Sequence, residues 1–249
     1  MEIKNNPVGR LHDVLREARG HKESAFVHEV WRVVLDAPLG DTGALLRRIA
    51  DVIHLQEQAK QAIKEGIEGD QTIYLAPFQK IDQLFAKIDL SVRWTNSKLL
   101  LDDATLNALA FGNHVLEPKH GKFRLSSEQC IEFIEKLEHL LRDCISSTLP
   151  PELKKLFQKN LESLRQALIS YKISGVQGLE DEVDRVIGAL SRHSPQLRDQ
   201  VDDNSKGFMK SVFELIANIN ETIQLTESAA KLSGPAIVTL LPFINNMNF

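Results

Sequence analysis

The stretch Ser126 to Ser146, SSEQCIEFIEKLEHLLRDCIS, decides the fold class of this chain. Ile131, Ile134, Leu137, Leu141 and Cys144 recur three and four apart, opposite Glu132, Glu135, Lys136 and Arg142. That is the period of an amphipathic helix and not the alternation of a strand. The Ser126 or Ser127 hydroxyl is placed to cap its start. Pro150-Pro151 then breaks the chain, and Pro151 suits a first helical turn because its missing N–H has no intrahelical partner there. Leu153, Leu156, Phe157, Leu161, Leu164, Leu168 and Tyr171 continue an apolar face to about Lys172, so the two helices read as an antiparallel hairpin.

Downstream, a short Ile-Ser-Gly linker around Gly175 precedes GLEDEVDRVIGAL, where early acids favour a helix start and Leu179, Val183, Val186, Ile187 and Leu190 share a side. A last helix, about Lys206 to Leu232, carries Phe208, Met209, Val212, Ile216, Ile219 and Ile223 and stops before Ser233-Gly234-Pro235. Upstream, the spacing predicts helices near Pro7 to Ala18, Glu23 to Asp36, Thr42 to Glu65, Pro77 to Ile88 and Leu99 to Leu116, with Trp94 in the connection after Leu90. The expected fold is all-α, a multi-helix bundle of amphipathic helices joined by short loops, with an apolar C-terminal tail. Residues 1–190 read as the bundle. Residues 191–207, rich in Ser, Pro, Asp, Asn and Gly, read as a polar linker or loop, and 208–249 as a C-terminal helix and tail, either separate or packed on the same core.

Composition narrows the function classes. In 249 residues, 43% are hydrophobic and 26% charged, as in a chain that folds. Thirty Lys and Arg against 34 Asp and Glu give a net charge of −4, which supplies no global field for nucleic acid, so nucleic-acid binding is disfavoured. Cys130 and Cys144, fourteen residues apart on one helix, are separated by about 21 Å and do not bridge. Reduced, half-buried thiols in a cytosolic protein are the expectation. The N-terminus shows no secretory signal pattern, and no apolar run has the length of an ordinary spanning helix.

Eight histidines invite a search for metal or acid–base chemistry. Glu135 and His139 are four apart, and Asp51, His54 and Glu57 follow at spacings of three, but neither the two-His zincin spacing nor a repeated Glu-x-x-His occurs. These read as structural or solvated, with no metal and no cofactor expected. His12-Asp13 and His28-Glu29 are adjacent in sequence and point about 100 degrees apart on a helix, so each reads as two unrelated surface polars. No Gly-x-Ser-x-Gly elbow is present. Gly175-Val-Gln-Gly178 lacks a P-loop lysine and runs into Glu180, Asp181 and Glu182, so it reads as a helix–helix turn. No catalytic residue is assigned.

Two segments stand out as contact candidates. Lys119-His-Gly-Lys122-Phe-Arg124 concentrates cations beside one aromatic, which makes Lys119, Lys122 and Arg124 a candidate anion contact. Leu232 to Phe249 has eighteen residues without a charge, and its run AIVTLLPFI needs cover. Ile237, Val238, Leu240, Leu241 and Phe243 are therefore candidate contacts to a protein partner, to a second copy of the chain or, alternatively, to a membrane.

Three stretches, NPVGRLHDVLREAR, TIYLAPFQKIDQLF and LPPELKKLFQKNLESLRQALISYKISGVQGLEDEVDRVIGAL, together resemble an uncharacterised family of bacterial all-helical proteins, over most of residues 5–190. The resemblance implies a bacterial, all-helical protein and carries no catalytic role onto these positions; a setting in antiviral defence is its looser implication. The expected function is a cytosolic, non-enzymatic interaction or assembly module with the apolar C-terminal region as its contact surface. The alternatives are a membrane-engaging effector in a bacterial defence system and an enzyme whose groups converge from several helices.

Overall fold

The computed structural model describes residues 3–86, 88–119, 125–199 and 203–226, and among them the chain is all-α. They divide into two compact units, one of residues 3–119 with 172–175 and the other of residues 125–171 with 176–226.

The first unit holds α1 (Pro7–Arg19), α2 (Val27–Val34), α3 (Thr42–Gly66), α4 (Thr72–Leu75), α5 (Phe78–Ala86), α6 (Thr95–Leu100) and α7 (Asp103–Leu116), closed by a 3₁₀ turn, Glu117–Lys119. α1 starts where Asn6 accepts the Gly9 N–H at 2.8 Å and Pro7 takes the first position. It packs on α3 and α7, burying Val8, Leu11, Leu15 and Ala18 against Val52, Leu55, Ala59 and Leu109. The predicted 23–36 helix shrinks to α2 because Phe26 is drawn into an antiparallel bridge with Arg93, flanked by bonds from the Val27 N–H to Val92 O at 2.9 Å and from the Trp94 N–H to Ala25 O at 2.8 Å. This pairing seats Trp94 under Trp31, with ring centroids 5.7 Å apart and planes at 87°, and Phe85 lies 5.6 Å from Trp31. Both indoles are fully buried, and neither N–H has a hydrogen-bond acceptor.

The second unit holds α8 (Ser127–Ser146), α9 (Pro151–Ile169), α10 (Tyr171–Arg192, from Val176 onward), α11 (Ser194–Asp199) and α12 (Asp203–Thr226). Ser126 and Gln129 form a reciprocal capping box at the head of α8, with bonds of 3.2 and 2.9 Å. α8 packs along α9 and against α12, and Phe157 meets Phe208 edge to face at 5.3 Å. The predicted apolar faces of α9, α10 and α12 are the buried ones, through Leu153, Phe157, Leu161, Leu179, Val183, Met209 and Ile216. On α8 the buried stripe is Cys130, Phe133, Leu137, Leu140 and Cys144, one position round from the predicted one. Ile131 is 55% exposed, because the helix is apolar over a wide arc and its neighbours take the flank that carries Phe133.

α10 bends at Gly175, whose φ of +68° and ψ of −164° break an otherwise helical run. The predicted linker there is a single-residue kink. Residues 172–175 belong to the first unit, where the buried Arg10 donates from Nε to Ile173 O at 3.0 Å and from Nη1 to Asn5 O. Within the stretch predicted as polar linker, 191–207, α11 forms with Leu197 buried, and α12 has begun by Asp203.

Candidate functional site

The sequence-based candidates distribute unevenly over the described residues. Lys119 is exposed at the end of the 3₁₀ turn; Lys122 and Arg124 lie outside the described residues, as do Ile237, Val238, Leu240, Leu241 and Phe243. Glu135 and His139 do not pair, since His139 Nδ1 turns to Asp143 at 2.8 Å, and His54 meets Gln58 while Glu57 holds Lys60 at 2.9 Å. Among the described residues no group of three or more His, Cys, Asp or Glu side chains is placed to hold a metal ion. No helix among them is long and apolar enough to cross a membrane.

One expectation is corrected. His12 and Asp13 are not unrelated surface polars: their side chains meet at 3.1 Å, with Arg16 3.3 Å from the same carboxylate oxygen, and Asp13 is buried. Sequence adjacency fixes where two side chains leave the helix, but a long imidazole folded back along the surface still reaches its neighbour. His28 and Glu29 do part company. His28 Nδ1 donates to Leu90 O at 3.0 Å, and Glu29 accepts the Phe26 N–H at 2.8 Å, fixing the start of α2.

Those bonds help to build a groove of about 590 Å³ that sequence reading missed. Its walls come from the head of α2 (Phe26, His28, Glu29) and its last turn (Arg32), the α2–α3 loop and first turn of α3 (Pro38 to Thr42, Leu45), and the turn Leu90-Ser91. The loop is shaped by two left-handed residues, Asp36 at φ +52° and Gly40 at +81°, and by the Ala37 N–H bonded to Arg32 O at 2.9 Å. Lys172 Nζ holds the Asp36 carboxylate at 3.0 Å. Asp41 is committed to capping α3 through the Ala44 N–H at 2.8 Å. The Phe26 ring carries the Arg93 guanidinium at 3.9 Å and stacks with His28 at 5.6 Å.

Two features of the lining are left open. Leu39 is 86% exposed at the groove edge, among Pro38, Leu45 and Leu90. Arg32, half-buried, has no hydrogen-bond or ion-pair partner for its guanidinium among the described residues, whereas the carboxylates of Glu29 and Asp41 are spent on helix starts. Because His28 Nδ1 must carry its proton to donate to Leu90 O, Nε2 is the ring nitrogen left for an outside partner. The arrangement offers a cation and an apolar shelf to a ligand. The two thiols lie elsewhere and are buried, Cys130 being pushed up to about 12 by burial, and the Ser91 hydroxyl of the lining donates to the Asp89 carboxylate at 2.6 Å. The hint in the sequence was the run Pro38-Leu39-Gly40, a large apolar residue inside a turn between two helices.

Compared with family models, curated proteins and solved structures, the chain matches none of them.

Proposed function

We propose that the protein is a non-enzymatic helical binding module, and that the groove at the head of α2 receives a short segment of a protein partner. The observation that carries this reading is the exposed Leu39 beside Arg32, whose guanidinium has no partner among the described residues, on one apolar groove. Leu39 together with Pro38 and Leu90 gives an apolar shelf that a partner's side chain can cover, and an arginine recognises carboxylates with directional hydrogen bonds. A segment with an apolar side chain next to an acid meets both. The uncharged stretch Leu232 to Phe249, with Ile237, Val238, Leu240, Leu241 and Phe243, is a second contact surface in this proposal, supported by its composition.

Selection of peptides from a displayed random library on the full chain tests the groove. Enriched sequences are expected to place Asp, Glu or a C-terminal carboxylate within two residues of Leu, Ile or Phe. Arg32→Glu and Leu39→Ser are each expected to weaken the selected peptides about fivefold or more, the effect of losing about 1 kcal/mol. Absence of enrichment, or full binding by Arg32→Glu, overturns the assignment.

A further inference from the structure

We propose that the outward face of α7 joins two copies of this chain through an antiparallel helix pair about a two-fold axis. None of the residues lining the groove at the head of α2 belongs to α7. α7 buries Thr105, Leu106, Leu109, Gly112 and Leu116 in the core of the first unit. Beyond Asp103 it contains no Asp, Glu, Lys or Arg. Its uncovered side carries Ala104, Ala108, Phe111 and Val115, spaced four, three and four apart, which places them in one stripe along the helix. Phe111 is 63% exposed, Ala104 and Val115 are exposed and Ala108 is half-buried. α4, packed on α7, adds the exposed Ile73. A helix apolar on both sides is normally covered on both.

The stripe itself argues for a second copy as the occupant. The four-three-four spacing reads the same in both directions. An antiparallel copy therefore has one register in which Ala104 faces Val115 of the other chain and Ala108 faces Phe111, so that a small residue receives a large one at every level. A parallel copy would set Phe111 on Phe111 and alanine on alanine, with a clash beside gaps. The charges agree. Asp103, Asn107 and His114 form the polar edge of the stripe, and a two-fold axis keeps both polar edges on one side. In the same register Asp103 of each copy comes within about two residues, or ~3 Å along the axis, of His114 of the other. Asp103 already holds Arg19 at 2.6 Å, yet its side chain is 81% exposed and keeps an oxygen for the imidazole. The two helix dipoles also oppose. Fourteen residues span about 21 Å, which covers less than the roughly 800 Å² per partner of a standard stable interface, so the pairing is reversible and concentration-dependent.

Sedimentation equilibrium of the full chain, up to about 1 mM, is expected to show the mass rising from one chain toward two. Phe111→Glu and Ala108→Glu are each expected to abolish the rise while retaining the wild-type thermal melt by circular dichroism. Register is read by mixing the Ala104→Cys and Val115→Cys variants with a short bismaleimide, the two native thiols being buried. Cross-links are expected in the mixture and in neither variant alone. Self-association that survives Phe111→Glu, or cross-linking of either variant with itself, overturns the proposal. So does a wild-type chain that stays monomeric. In that case the maleimide reactivity of a Phe111→Cys variant identifies the other occupant: slow reaction points to cover by residues 227–249 of the same chain, fast reaction to a face kept for a different protein. Since Arg32→Glu leaves α7 intact and Phe111→Glu leaves the groove intact, failure of this inference and failure of the groove reading are separable.

Discussion

At the scale of single residues, Asp102 does the most varied work. Its carboxylate accepts the Thr105 N–H at 2.9 Å and the Thr105 hydroxyl at 2.7 Å, capping α7, and also pairs with Lys80 from α5. The Lys80 ammonium, followed by the Thr105 donors, holds the carboxyl well below the usual carboxylate range. With the folded value depressed, the native state binds fewer protons than the unfolded chain between the two values. The stabilisation is thus complete above pH ~4, near the ordinary Asp value, and is lost as pH falls through the folded value. Asp102→Ala is expected to lower stability by about 1 kcal/mol at pH 7, and Asp102→Asn, which keeps the cap and loses the ion pair, by less than half of that. Urea titrations at pH 7 and pH 3 check both numbers, and the wild-type advantage over Asp102→Ala should be smaller at pH 3. Such assignments were not legible in the sequence: its spacing predicts one helix from Leu99 to Leu116 through Asp102, where the structure ends α6 and caps α7, and nothing near Asp102 announces Lys80, 22 residues upstream.

Secondary-structure elements separate what periodicity settles from what it leaves open. Long helices with a clear three-four repeat, such as α3, α9 and α12, were legible because burial follows the repeat. Short ones were not: α4, α6 and α11 hold four to six residues each, less than two turns, and exist because neighbours hold them. α8 and α7 show a subtler limit. Both are apolar over so wide an arc that the pattern cannot say which part is core, and the buried face of α8 and the bare face of α7 emerge only with the packing partners. The groove was hidden for a different reason, since its walls come from residues 26–45 and 90–91, and only the backbone bonds of residues 25–28 to 90–94 bring them together. Glycines give the element-scale prediction. At Gly175 the backbone sits in a region nearly reserved for glycine, and a Cβ would lie 2.5 Å from Arg10 Nη1. Gly175→Ala is expected to destabilise the first unit by about 2–3 kcal/mol. Gly207, inside α12, has open space where a methyl group would stand, with nothing within 4 Å to obstruct it. Gly207→Ala is therefore expected to stabilise the second unit by about 0.5–1 kcal/mol. Opposite signs in denaturant midpoints are the check.

On the scale of the whole molecule, the division into two units was the least legible feature. The chain leaves the first unit between residues 119 and 125, yet returns 172–175 to it through Arg10 and Ile173, partners 163 positions apart. No composition shift marks a detour of four residues. The division does distribute the natural probes: both tryptophans, Trp31 and Trp94, are buried in the first unit, and both cysteines, Cys130 and Cys144, in the second. Burial raises both thiols, so native labelling by a disulfide reagent should be slow and should track opening of the second unit, while tryptophan emission tracks the first. Phe157→Ala removes a fully buried ring that meets Phe208, and should cost about 3–5 kcal/mol. Because Phe157 belongs to the second core alone, the urea midpoint of thiol exposure is expected to fall while the midpoint of tryptophan emission stays within error of wild type. An equal fall in both would mean that the chain unfolds as one cooperative body, and the stability changes expected for Gly175→Ala and Gly207→Ala would then have to appear on both probes together.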